Sequence, residues 1–423
     1  MVFQLKRLLY FPIASYFRFF AAIRLQRWHP RIVVVTGSNG KTTLLHMLES
    51  QIGGKAKYSH HANSAFGIPF DILDLQRKTL LKTEWIGLFL QAPFHAFKNP
   101  PKENLYIVEA DVDRPGEGKF LGELLRPEVV LLASISKTHS MNFDKLVEQK
   151  KFSHVEDAIA YEFGYFLEYC QKLAVINGAD VLEASQKDRT KAEIRVVIKS
   201  DLQKYELKKD GTLFAFAENT YRFPFLFPEE IFYTISMCKM LTEYLDIPFD
   251  PKFSRFSPPP GRGSVFQGIK DIMIVDSCYN ANLASMTAII AMYEKFPGDE
   301  KWAVIGDMLE QGNGEKEEHE KLAELLAKQH FKRIIFLGPR VKKYTYPKLQ
   351  SLSHEKISLD VFLNPREVLD FILAKSKGGE TILFKGARFM EGIIENILKD
   401  KKDVAKLSRR EKIWEIRRKQ WGL

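Results

Sequence analysis

One stretch near the start of this chain limits its fold more than any other. The apolar run Ile32-Val33-Val34-Val35 leads into Thr36-Gly37-Ser38-Asn39-Gly40-Lys41-Thr42-Thr43, and a helical pattern through Leu44, Leu45, Met47 and Leu48 follows. Strand, glycine-bearing loop and helix in that order turn successive backbone N–H groups toward one anion, at the positive end of a helix. The Lys meets terminal phosphates and the Thr after it meets Mg²⁺. The segment reads as a nucleotide site whose binding residues are Gly37, Ser38, Asn39, Gly40, Lys41, Thr42 and Thr43. Val35 stands where the generic motif has its first Gly, five places before Gly40. A plain tight turn gives no packing reason for Gly-Lys-Thr-Thr to follow a buried-type strand.

Further along, Leu105-Tyr106-Ile107-Val108, Val129-Val130-Leu131-Leu132 and Leu173-Ala174-Val175-Ile176 are short buried-type strands separated by helical stretches. Such alternation predicts a parallel sheet covered by helices on both faces, with ligands at the carboxyl ends of the strands. Polar–apolar alternation around Lys199 to Arg222, with the turn Lys209-Asp210-Gly211, predicts a hairpin, and a helix is expected from Pro228 to Tyr244. Ser257-Pro258-Pro259-Pro260-Gly261 can continue neither helix nor central strand, so the main boundary falls there. A second α/β alternation follows, with strands at Ile272-Met273-Ile274-Val275, Trp302-Ala303-Val304-Ile305, Arg333-Ile334-Ile335-Phe336-Leu337 and Thr381-Ile382-Leu383-Phe384, and a helical window from Lys316 to Gln329. The expected domains are 1–30, 31–256, 257–398 and 399–423, the first a basic, aromatic helical segment and the last a basic helix.

The net charge of +10 is concentrated at the two ends. Lys6, Arg7, Arg18, Arg24, Arg27 and Arg31 precede the loop with no acid, giving +6, and residues 399–423 carry ten basic against four acidic residues, again +6. The body between them is therefore −2, which argues against nucleic acid as a partner and suits ends that touch an anionic surface. Residues 1–28 are interrupted by Pro12 and by Lys6, Arg7 and Arg18, so no apolar run reaches the roughly 20 residues of a spanning helix. Two readings of this segment stand side by side: a helix packed on the first domain, or an interfacial helix making peripheral membrane contact. Cys170, Cys238 and Cys278 form no Cys-x-x-Cys and no even-numbered framework, which suggests a reducing compartment and a cytoplasmic setting.

From Ile32 to Ile397 the motifs, in order, resemble those of the ATP-dependent Mur ligases, and within them the MurF type. Besides the phosphate loop, Asn63, Gly67 and Pro69 in Asn63-Ser64-Ala65-Phe66-Gly67-Ile68-Pro69 match the family's next loop, and Glu109 in Val108-Glu109-Ala110-Asp111 matches its Mg²⁺-binding carboxylate. Pro260-Gly261-Arg262-Gly263, Asp276-Ser277-Cys278-Tyr279-Asn280-Ala281-Asn282, Gly306-Asp307-Met308-Leu309-Glu310 and Lys385-Gly386-Ala387-Arg388 resemble four segments of its C-terminal domain. The resemblance implies an α/β protein: a central P-loop ATPase domain with a parallel sheet, and a C-terminal Rossmann-like ligase domain. It implies ATP and Mg²⁺ as cofactors. Lys41 and the loop amides would hold phosphates; Thr42, Glu109 and His139 would hold metal; Asn280, Asn282 and Asp307 would bind the nucleoside. Arg262 would reach phosphate, and Lys385 with Arg388 would bind the carboxylate of the incoming amine substrate. Read without the resemblance, Asp307 is a helix cap, Glu109 a solvated strand-end acid, and His319 a solvent-facing helix residue.

Two departures stand out. Phe163, in Ile159-Ala160-Tyr161-Glu162-Phe163, occupies the place of the family's carbamylated Lys, which leaves Glu162 as the expected substitute ligand beside His139. Only about thirty residues precede the loop, fewer than a domain needs, so the family's usual uridine-nucleotide domain has no counterpart in this sequence. The expected reaction is ATP-dependent joining of a carboxylate to an amine through an acyl phosphate. It would add an amino acid or a D-alanyl-D-alanine-like dipeptide to a small-molecule or lipid-linked cell-wall precursor. Polyglutamyl extension, amidation of a lipid-linked precursor and a non-catalytic ATP-binding regulator are the alternatives.

Overall fold

The computed structural model describes residues 9–60, 62–77, 83–352, 357–387 and 389–423. The chain forms two compact units. The first comprises Met1–Ser136, Asn142–Ser200 and Tyr233–Phe256; the second comprises Lys137–Met141, Asp201–Phe232 and Ser257–Leu423.

The first unit is built on a six-stranded, all-parallel sheet in the order β2-β3-β1-β4-β5-β6. Its strands are β1 (Arg31–Thr36), β2 (Lys57–Tyr58), β3 (Leu105–Ala110), β4 (Val129–Leu132), β5 (Leu173–Asn177) and β6 (Glu193–Val197). Val33, Val34 and Val35 are all buried, so β1 is covered on both faces, which is what a continuous apolar run predicts. Because β1 pairs with β3 on one side and β4 on the other, the strand order reverses at the end of β1, where α/β sheets place their ligands.

The N-terminal helix Tyr10–Trp28 packs on this unit. It buries Ala14, Phe17, Ala21, Arg24 and Trp28, spaced by three and four residues, so one stripe faces the core. Pro12 does not break it: in the first turn a missing N–H loses no intrahelical bond. Arg24 is buried by donating to the carbonyls of Leu73 (3.3 Å) and His95 (3.0 Å) and to Asp74 Oδ2 (2.5 Å).

The second unit holds the hairpin predicted near residue 210, extended to three antiparallel strands: β7 (Lys204–Lys208), β8 (Gly211–Phe216) and β9 (Asn219–Phe223). The predicted helix after it runs from Ile231 to Tyr244, and from Tyr233 onward it belongs to the first unit. The unit's main sheet has the order β10-β11-β15-β12-β13-β14. These strands are β10 (Ser264–Gln267), β11 (Met273–Asp276), β12 (Lys301–Gly306), β13 (Arg333–Leu337), β14 (Ser358–Phe362) and β15 (Thr381–Lys385). All pairs are parallel except β10 with β11, so the sheet is mixed. Two apolar clusters, one around Ile290, Ile305 and Phe336 and one around Ile274, Val304 and Phe384, contribute its core.

The basic C-terminal segment is not a free tail. It forms a 3₁₀ turn at Lys401–Lys406 and the helix Lys412–Lys419. Arg410 pairs with Glu395 at 2.6 Å, Arg409 with Glu391 at 3.4 Å and Arg418 with Glu391 at 3.7 Å. Charges that the sequence offered to an outside surface are thus partly balanced within the unit.

Candidate functional site

In the first unit the chain leaves β1 through the phosphate loop and enters the helix Lys41–Ile52. Gly37 has φ +120°, and a Cβ there would lie 2.6 Å from the carbonyl oxygen of Ser134, so both backbone and space require glycine. The Ser38 N–H donates to that same carbonyl (2.6 Å), the Ser38 hydroxyl accepts from the Ser136 N–H (2.9 Å), and Asn39 Nδ2 donates to Ser136 Oγ (2.9 Å). The segment after β4 therefore sets the shape of the loop.

Lys41 is only 6% exposed. Its Nζ donates to the Gly37 carbonyl (2.5 Å) and pairs with Asp111 Oδ2 at 2.8 Å. The Asp111 N–H donates to the Asn63 carbonyl (2.7 Å), which ties the Asn63–Pro69 loop to the same spot. Glu109, next to last in β3, lies opposite Val35, buried, with its N–H donating to Ser59 Oγ (2.9 Å). Gly37 through Thr43 and Glu109 thus come together as the sequence predicts. Asp111, one residue past the end of β3, joins this group through its pair with Lys41, a contact that the motif alone does not signal. Glu109 and Asp111 bring carboxylate oxygens to the end of the strand beside the loop that carries Thr42, and oxygen ligands are the kind Mg²⁺ takes.

Glu162 does not replace the missing Lys. Its two carboxylate oxygens accept from the N–H groups of Gly116 (2.7 Å) and Gly118 (3.1 Å), at the start of the helix Glu117–Leu125. It serves as an N-terminal helix cap supplied from the neighbouring helix Val155–Glu168, and Phe163 beside it is fully buried in the core. Glu117 is fully buried, accepting from the N–H groups of Ala65 (2.7 Å) and Asp113 (3.0 Å) and from the Tyr10 hydroxyl (3.0 Å). Burial, with Asp113 close by, pushes its carboxyl up to about 7.

The second unit gathers its predicted residues at the ends of three adjacent strands, because β15 lies between β11 and β12. Asp276 ends β11, Gly306 ends β12 with Asp307 just after it, and Lys385 ends β15. A Cβ on Gly386, with φ +135°, would meet the Gly306 nitrogen at 2.5 Å, so the two turns touch through their backbones. Lys385 is 5% exposed and donates to the Asn280 carbonyl (2.7 Å). Burial first, then the Arg262 guanidinium, drive its ammonium down to about 7. Arg262 lies over the Tyr279 ring, 4.7 Å from its centroid; Arg409, from the C-terminal segment, lies 5.5 Å from the same ring and donates to the Tyr279 carbonyl (2.6 Å). Three cations therefore converge on Tyr279 and Asn280, a setting for a carboxylate or phosphate. Arg388 lies outside the described residues.

Other predicted residues carry structural duties here. Asn282 caps the helix Leu283–Lys295, its Oδ1 accepting from the Ser285 N–H (2.8 Å). Asp307 is fully buried and accepts from the N–H groups of Arg340 and Val341, both at 3.0 Å. His139 belongs to the second unit, where its Nδ1 meets Glu310 Oε2 at 2.5 Å. His319 is not solvent-facing but fully buried: its Nε2 accepts from the Met308 N–H (3.2 Å) and its Nδ1 donates to the Glu315 carbonyl (2.8 Å). Two such bonds fix a neutral tautomer, and burial holds its pKa below the usual imidazole value.

The model of the Mur ligase middle domain matches residues 35–232, and that of the Mur ligase glutamate ligase domain matches residues 261–388. A Bacillus subtilis protein named UDP-N-acetylmuramoyl-tripeptide--D-alanyl-D-alanine ligase is 23% identical over 392 residues, covering 89% of this chain and 77% of its own. Among solved structures, MurF from Acinetobacter baumannii superposes with a TM-score of 0.71 at 20% identity, over 91% of this chain and 80% of the other. MurF from Thermotoga maritima, solved in complex with ADP, gives 0.70 at 21% identity over 93% and 84%.

Proposed function

Because this chain belongs to the Mur ligase family, we propose that it is an ATP-dependent carboxylate–amine ligase of MurF type. It would join an amino acid or a D-alanyl-D-alanine-like dipeptide to a peptidoglycan-type precursor, on the cytoplasmic side of the membrane. The observation that carries this reading is the pair of buried lysines: Lys41 in a phosphate loop backed by Asp111, and Lys385 in a cluster with Arg262 and Arg409.

In the first unit, Lys41 exchanges the Gly37 carbonyl and Asp111 for the β- and γ-phosphates of ATP, while the loop amides hold their oxygens. Thr42 and Glu109, with Asp111 once Lys41 has left it, would hold Mg²⁺, whose charge offsets that of the phosphates; His139 is the further metal ligand that the family resemblance suggests. A carboxylate oxygen of the acyl substrate attacks the γ-phosphorus, ADP leaves, and an acyl phosphate results. The amine then attacks the acyl carbon, loses a proton, and inorganic phosphate departs. In the second unit, Lys385 and Arg262 bind the carboxylate of the amine substrate and orient its nitrogen. Arg388 shares that task by resemblance, and Asn280, Asn282 and Asp307 face the nucleoside on the same warrant.

The test is ADP release from purified protein offered wall-precursor fragments, uridine-linked and lipid-linked, with and without D-alanyl-D-alanine. ADP formed only when acyl and amine substrates are both present supports the ligase. ATP bound tightly but unconsumed with every pair would instead make the protein a nucleotide-dependent regulator.

A further inference from the structure

The helix Glu84–Ala96 has two apolar faces where a surface helix needs one. Leu88, Ala92 and Ala96 are buried against the core of the first unit, and the Phe89 ring packs 5.0 Å from that of Phe17 in the N-terminal helix. On the outer face Ile86, Leu90 and Phe94 recur at four-residue spacing and are 65%, 65% and 73% exposed, and Phe97 just beyond the helix is 64% exposed. Phe19, on the adjoining helix, is 62% exposed as well. Isolated exposed apolar residues are ordinary, but a contiguous row of large ones marks an interaction surface.

The charge around the row selects the partner. From Trp85 to Phe97 there is no Asp, Glu, Lys or Arg. Across this helix and Tyr10–Trp28 the acid is Glu84, which faces Arg77 at 3.9 Å; Arg18 is paired with Glu123, buried Arg24 is paired with Asp74, and Arg27 stands exposed at the end of the row. At the C-terminal end Arg27 donates to the carbonyls of Ala96 (2.9 Å) and Lys98 (3.0 Å) and lies 5.8 Å over the Phe97 ring, with exposed Lys98 beside it. An apolar row rich in Phe with a basic collar has the make-up of a surface that sinks into the headgroup boundary of an anionic bilayer. Among the described residues no helix is long and apolar enough to cross a membrane, so contact of this kind is peripheral.

We propose that the face formed by Ile86, Leu90, Phe94, Phe97 and Phe19 docks on an anionic phospholipid bilayer, with Arg27 and Lys98 against the headgroups. This places membrane contact on the helix Glu84–Ala96 and the N-terminal helix beside it, not on the basic C-terminal segment, and it is independent of the ligase reading. The test is vesicle flotation of the full chain with phosphatidylcholine alone and with phosphatidylcholine–phosphatidylglycerol mixtures. Binding is expected only with the anionic lipid, weakening as salt rises. The variant Ile86→Ser/Leu90→Ser/Phe94→Ser should lose it at least tenfold while keeping the wild-type circular dichroism and melting curve, since these side chains face outward. Lys98→Glu, which leaves the apolar row intact, should weaken binding severalfold and blunt its salt dependence. Absence of binding to anionic vesicles would overturn the proposal. So would binding unchanged in both variants, or a wild-type dimer that the triple variant converts to monomer.

Discussion

Lys41 and Lys385 are buried alike, at 6% and 5% exposure, yet the protein treats their charges in opposite ways. Lys41 faces a carboxylate, Asp111, at 2.8 Å, so its charge is compensated at rest. Lys385 is met by a backbone carbonyl at 2.7 Å and repelled by Arg262, and its ammonium falls to about 7. The contrast teaches that a buried cation can be kept ready either by a partner that steps aside or by an unmet need for an anion. The first arrangement suits a polyanion that arrives with its own metal; the second suits a lone carboxylate.

Removing each lysine should break the comparison most sharply. Lys41→Met is expected to lower turnover by about a thousandfold, and it leaves Asp111 buried without its cation, so unfolding should also become easier by roughly 3–5 kcal/mol. Lys385→Met is expected to reduce use of the amine substrate about a hundredfold, but to stabilise the fold by roughly 1–3 kcal/mol. The sign follows from its depressed pKa: between about 7 and 10.5 the unfolded chain binds a proton that the folded chain does not. Wild-type stability therefore rises with pH across that window, and in Lys385→Met that rise is absent from denaturant titrations.

Arg262→Ala should sharpen the same point. With the repelling guanidinium gone, the Lys385 ammonium climbs, while burial, the larger cause, still holds it below its ordinary range, and the pH limb in KM for the amine substrate moves upward. Affinity itself should fall about tenfold, as one of three cations is lost.

The smallest effect concerns Glu117, whose carboxyl is raised from 4.5 to about 7 by burial. Stability carried by its protonated form is present below pH 4.5 and lost as pH rises through about 7. Glu117→Gln cannot ionise, so its unfolding free energy should be flatter across that window than the wild type's, at some cost from an amide nitrogen facing the N–H group of either Ala65 or Asp113.

Strands covered on both faces were the ones legible in the sequence, because continuous apolar runs such as Val129–Leu132 have no other setting. The edge strands β6 and β14 are half-exposed, and Glu193-Ile-Arg-Val-Val or Ser358-Leu-Asp-Val-Phe carries a correspondingly weak signal. In the site, the phosphate loop was readable because its chemistry is local. The Lys41–Asp111 pair was not, since only the pairing of β1 with β3 brings those residues together. The burial of His319 was hidden by its charged neighbours: in Lys316-Glu317-Glu318-His319-Glu320 nothing announces that Glu318 and His319 turn inward with Leu322 and Leu326. Glu162 misled for a related reason, as a carboxylate beside a vacated ligand position is also the group that a buried helix N-terminus needs.

The central claim is that phosphoryl transfer in this protein goes to a carboxylate and not to water. Once the screen has identified a productive acyl substrate, its carboxylate can be labelled with oxygen-18 and the released inorganic phosphate examined by mass spectrometry. Ligation through an acyl phosphate predicts one labelled oxygen in each phosphate formed. Phosphate that carries no label, while ADP accumulates, would mean that water takes the phosphoryl group, and would contradict the account.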